Sequence, residues 1–156
     1  MRVNDYNCKL YTFILLDTHI GLKILYERWD CLKYLVVTNN PLVEKEIENL
    51  CFVEGSYEDV LIKVRDLVYE GVELVSYPLG ASMRMLFSPY RSIVVGRKNR
   101  TINFFHVETI DNSIINYRKT LENRKVDWAH ADDYALIDNE LLKSTLKDLE
   151  VNFNKN

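Results

Sequence analysis

The sequence predicts an α/β fold: a three-layer, open, mostly parallel sheet with flanking helices, in a single domain. Short apolar runs rich in β-branched residues alternate with stretches of helical period. The run Leu35-Val36-Val37-Thr38-Asn39-Asn40-Pro41 passes from a buried strand into a helix within three residues. A chain of 156 residues, 47% hydrophobic and 28% charged, is also of the usual size for one domain with a substantial core.

Tyr34 to Thr38 reads as the first strand. Asn40 is placed to cap the following helix and Pro41 is pre-shaped for its first position, so Pro41 to Leu50 is expected to be helical. Cys51 to Val53 makes a brief second strand. Gly55 then breaks the path, and Ser56 with Asp59 three residues on forms a capping-box variant. The helix Ser56 to Glu70 carries Val60, Leu61, Val64, Leu67 and Val68 on one stripe, and Gly71 is expected to close it at positive φ. Val72 to Ser76 and Ser92 to Val95 read as the third and fourth strands. Between them, Tyr77 to Arg91 is a connection longer than most in compact domains, and such loops tend to be functional. Thr101 to His106 is expected as a further short strand, Val107 to Lys125 as a helix, and Tyr134 to Ile137 as a last strand, with Asp138 capping a final helix through Leu149. The domain is therefore expected over residues 34–149, after an N-terminal extension over 1–33 that is dispensable for folding and before a frayed tail over 150–156.

Composition excludes several classes of function. A net charge of -3 gives no electrostatic footprint for nucleic acid, and the basic turn Arg97-Lys98-Asn99-Arg100 reads as a solvated loop. The apolar run Leu10 to Leu16 is far shorter than the ~20 residues of a spanning helix, so no membrane partner is expected. Cys8, Cys31 and Cys51 are odd in number and lack Cys-x-x-Cys spacing, which predicts neither a disulfide framework nor a zinc knuckle and fits a reducing cytoplasm.

Catalytic motifs fail one by one. His106-Val107-Glu108 has the His-x-Glu half of a zinc deaminase, but no cysteine follows Cys51 to complete it. His130 with Asp132 and Asp133 lacks the spacing of a metal site. Glycine-rich dinucleotide, phosphate-loop and nucleophile-elbow signatures are missing from the sequence. No catalytic residue, metal or cofactor is assigned.

Geometry still suggests a place for function. If the strands are parallel, their carboxyl ends bring the Asn39-Asn40 turn, the Gly55-Ser56 turn and the loop after Ser76 to one edge. Asn39, Asn40, Ser56, Ser82, Arg84, Tyr90 and Arg91 are the candidate contributors to a ligand or partner site there. Helix N-termini and Arg84 suit a carboxylate or phosphate anion.

The segments Val36 to Val43, Glu54 to Leu61, Lys63 to Asp66, Pro78-Leu79, Ser82, Pro89-Tyr90-Arg91-Ser92, Asp133 to Asp138 and Leu141 to Ser144 together resemble GrdX-type proteins. These are encoded beside the glycine, sarcosine and betaine reductases of anaerobic bacteria. The resemblance implies a cytoplasmic accessory of reductive amino-acid deamination. It departs at Tyr77, where the family tends to have His, at Gly80-Ala81 in place of Ser-Gly, and at Met85-Leu86-Phe87 in place of Pro-Asn-Glu. A phenol titrates near ~10 and cannot do a histidine's acid–base work near neutrality, so the first departure counts against catalysis. Three roles follow: an accessory that binds a reductase component, a binder of a small carboxylate or phosphate or an unrecognised enzyme at the strand ends, and an oligomerising module.

Overall fold

A computed structural model describes residues 34–153; the expected extension over 1–33 and residues 154–156 of the expected tail lie outside the described residues. The order is β1 (Leu35–Thr38), α1 (Pro41–Glu46), β2 (Leu50–Phe52), α2 (Tyr57–Tyr69), β3 (Val72–Leu74), a 3-10 turn (Met83–Phe87), β4 (Ser92–Lys98), α3 (Phe104–Asn123), a second 3-10 turn (Trp128–His130) and α4 (Ala131–Phe153).

The strands form one four-stranded sheet among the described residues, in the order β2-β1-β4-β3. β1 and β2 are parallel, while β4 runs antiparallel to both of its neighbours, β1 and β3. The sheet is therefore mixed, which corrects the expectation of a mostly parallel one. Helices α1 and α2 supply the crossovers that keep β1, β2 and β3 pointing the same way. Only the short 3-10 turn lies between β3 and β4, and without an α-helical crossover the chain returns antiparallel.

Alternation along the central strands divides the core between the two faces. Leu35, Val37, Ile93 and Val95 pack with Val60, Leu61, Val64 and Val68 of α2 and with Ile110, Ile114 and Tyr117 of α3. Val36 and Val94 face the other way, onto Val43 of α1 and Leu142 and Leu146 of α4. The caps form as their residues dictate. The Asn40 side chain accepts from the Leu42 N–H, and Ser56 and Asp59 complete a capping box. Gly71 ends α2 at φ +95°, as expected. A Cβ there would sit 2.7 Å from the Asn99 carbonyl oxygen, so close approach as well as φ requires glycine.

Three further expectations are corrected. Helix α1 stops at Glu46 rather than running to Leu50, which instead opens β2. Residues 101–103 are not strand, and α3 begins at Phe104 because Asn103 caps it by accepting from the Phe105 N–H. Tyr134 to Ile137 is the second turn of α4, not a strand, and Asp138 lies within the helix rather than at its cap. Ala135, Asp138, Asn139, Leu142 and Leu146 recur at helical spacing and are all buried, whereas Leu136 and Ile137 are exposed.

Candidate functional site

Because β4 runs antiparallel, its first residues share an edge of the sheet with the carboxyl ends of β1, β2 and β3. The polar side chains of that edge form a buried network. Asp138, reaching down from α4, accepts from the Ser92 N–H at 2.9 Å, the Ser92 hydroxyl at 2.7 Å and the Asn40 amide at 2.9 Å. With the Ser92 proton committed to the carboxylate, the 2.8 Å contact between Thr38 and Ser92 has Thr38 as donor, and Thr38 in turn accepts from the Asn40 N–H. The Arg91 guanidinium lies 4.0 Å from Asp138, so the buried negative charge has a cationic neighbour.

Arg91 and Asn39 join the loops. The guanidinium of Arg91 donates to three successive carbonyls, Tyr77, Pro78 and Leu79, at 2.7, 2.9 and 3.2 Å. Asn39 donates to the carbonyls of Gly55 and Pro89 and accepts from the Arg91 N–H. Tyr57, buried in α2, accepts from the Gly80 N–H at 3.0 Å and donates to the Pro78 carbonyl at 3.3 Å. Burial pushes the Tyr57 phenol above its ordinary value, which keeps it protonated as that donor. The 77–91 loop is thus held by charge-assisted hydrogen bonds from its own Arg91 and by neutral ones from Asn39, just after β1, and Tyr57 of α2.

This arrangement separates the seven candidate residues. Asn39, Asn40 and Arg91 are brought together, but their side chains are buried and bonded within the protein. Ser56 caps α2 and is bonded to Asp59. Ser82 and Arg84 lie apart from these, on a cleft of about 690 Å³ between the 77–91 loop and the start of α4. Met85, Tyr134, Ile137 and Leu141 give this cleft an apolar lining, and Arg124, Asp127, His130 and Asp133 supply charge and polarity. Arg124 is held with its guanidinium 4.4 Å from the centre of the Phe87 ring, a cation–π contact. His130 pairs with Asp127 at 3.0 Å. Tyr90 is half-buried, is not part of the cleft lining, and stands edge-on to Trp128 at 6.2 Å.

The sequence reading missed Asp138, Ser92 and Thr38 as the centre of the network. An acid flanked by apolar residues at helical spacing was the available signal, since an acid on a buried face must find donors. It also missed Arg124 and Trp128, whose partners are distant in sequence. No group of three or more His, Cys, Asp or Glu gathers to hold a metal ion among the described residues, and no helix there is long and apolar enough to cross a membrane.

No curated protein and no solved structure shows significant similarity to the chain. A family model described as GrdX-like protein does match it, over residues 35–147. That span runs from the first residue of β1 into α4 and includes the network, the 77–91 loop and the cleft, and it places the chain in the GrdX-like family.

Proposed function

We propose that the protein is a non-catalytic cytoplasmic accessory of reductive amino-acid deamination, acting by binding a component of the glycine, sarcosine or betaine reductases. Membership of the GrdX-like family supports the context. One observation carries the binding role. At the strand carboxyl ends, where open sheets usually perform chemistry, the polar groups of Asn39, Asn40, Arg91, Ser92 and Asp138 bond to one another and to the loops. Groups committed in this way hold a surface in shape; they are not aimed at a reactant.

Purification of the tagged protein from its source organism grown on glycine, with the captured proteins identified by mass spectrometry, tests the role. A reductase subunit should be enriched over a tag-only control, and its absence overturns the proposal. A second reading has a specific observation behind it. Arg84 and Arg124 face one cleft, and neither has a carboxylate partner among the described residues, which favours a small carboxylate or phosphate ligand. In that case acetyl phosphate, glycine or betaine raises the melting temperature of the wild type but not of Arg84→Ala.

A further inference from the structure

We infer that the cleft between the 77–91 loop and the start of α4 binds a linear aliphatic chain ended by a carboxylate or phosphate. The inference rests on the second reading above, which supplies the anionic head, and adds the body to which that head is joined. Volume is the first reason. A cleft of about 690 Å³ lies within the roughly 300–1,000 Å³ of sites for drug-sized ligands, and glycine or acetyl phosphate would leave most of it to water.

The apolar wall is elongated. Tyr134, Ile137 and Leu141 follow one another at intervals of three and four residues, so they form a ridge along one side of α4, about 10 Å long at ~1.5 Å per residue. Met85 lines the same cleft from the loop, and its own side chain is buried. Ile137 and Leu141, by contrast, are 45% and 44% exposed, which leaves their outer surfaces to whatever enters the cleft. A straight chain laid along the ridge takes that area out of water, and each methylene it buries is worth up to about fourfold in affinity.

Charge decides the end group. The acids of the cleft are already answered within the protein, and its arginines are not. Both carboxylate oxygens of Asp127 lie against the His130 Nδ1, at 3.2 and 3.0 Å. Asp133 stands in the first turn of α4, where the helix dipole favours a negative charge. Arg84 makes no hydrogen bond or ion pair among the described residues. The flat face of Arg124 rests on the Phe87 ring, 4.4 Å from its centre, which leaves the N–H edge of the guanidinium for an oxygen acceptor. The Ser82 hydroxyl accepts from the Met85 N–H and keeps its own proton to donate. Such donors match the oxygens of a carboxylate or phosphate, and an uncharged chain end would leave both arginines unanswered.

The test is isothermal titration of the full chain with acetate, butanoate, hexanoate and octanoate, with octyl phosphate run beside octanoate and 1-octanol as the uncharged control. Affinity should rise by about two- to fourfold for each added methylene. Ile137→Ser with Leu141→Ser, both at exposed positions, should keep the wild-type melting temperature and flatten that series. Arg84→Ala should weaken octanoate by at least about tenfold and leave 1-octanol unchanged. Tighter binding of octyl phosphate than of octanoate, or the reverse, names the head group and supports the inference either way. If acetate binds and chain length adds nothing, the inference fails and the small-anion reading stands. If no anion of the series binds, the small-anion reading fails and this inference falls with it. Octanoate binding that survives in the folded double-serine variant, or 1-octanol bound as tightly as octanoate, also overturns it.

Discussion

Arg91 and Asp138 show how far a residue's work depends on neighbours that are remote in sequence. Asp138 accepts from Asn40 and Ser92, 98 and 46 positions away, and Arg91 grips carbonyls 12 to 14 positions back. Removing the acid leaves the buried Ser92 N–H without its acceptor, takes a partner from the Ser92 hydroxyl and the Asn40 amide, and strips Arg91 of its neighbouring negative charge. Asp138→Ala should therefore cost about 3–5 kcal/mol in urea unfolding, whereas exposed Arg84→Ala should stay within about 0.5 kcal/mol. Gly71→Val combines positive φ with a collision at the Asn99 carbonyl and should lower stability by more than about 1 kcal/mol by the same measurement. Tyr117 makes a pH prediction. Burial, and then the nearby Tyr57 and Glu58, raise its phenol well above the ordinary value of 10.0. A raised folded value means that its contribution is complete below pH ~10 and is lost as pH climbs beyond, because the unfolded chain ionises first. Tyr117→Phe should flatten the fall in melting temperature above pH ~10. Part of this was legible in the sequence: Gly71 and Ser56 act within three or four residues of themselves, and both behave as their local pattern requires. Asn39, Asn40 and Arg91 were legible as polar groups at strand ends but not as buried ones, because their partners lie on other loops and on α4.

Among the elements, α2 and β4 mark the two limits of such legibility. Helix α2 has its stripe, capping box and terminal glycine within one short stretch, and each forms in the structure. Ser56→Ala should cost it about 1 kcal/mol, read as a lower midpoint in chemical denaturation, because Asp59 then loses its reciprocal cap. The direction of β4 left a weaker trace, namely the lack of any helical-period segment between the third and fourth strands. Helix α4 was obscured for another reason. A four-residue apolar run such as Tyr134 to Ile137 suits a strand or a helix turn equally, and the longer spacing through Leu142 and Leu146 is what distinguishes them. The cleft was less legible still, since its walls come from Ser82 to Met85, Arg124 to His130 and Asp133 to Leu141.

Across the whole molecule, β1 and β4 serve both faces of the sheet, so the two halves of the core share a backbone. Leu142→Ala, on the α4 side, should destabilise by about 2–5 kcal/mol. Near-ultraviolet circular dichroism, to which the stacked Tyr57 and Tyr117 on the opposite face contribute, should then be lost in the same transition as helical signal. Separate transitions would show that the halves unfold independently. The antiparallel return of β4 also bears on how this chain is able to change over evolutionary time. Neighbouring antiparallel strands can be joined by a two-residue turn, yet residues 75–91 intervene between β3 and β4. Sheet geometry does not demand that length. Its Tyr77 to Leu79 carbonyls and its buried Met85 to Phe87 are pinned, but the exposed stretch from Ala81 to Arg84 is free to lengthen or change composition while the pairing of β3 with β4 persists. Ala81, Ser82 and Arg84 lie in that exposed stretch and line the cleft, so substitution there can remodel the cleft wall without renegotiating the sheet.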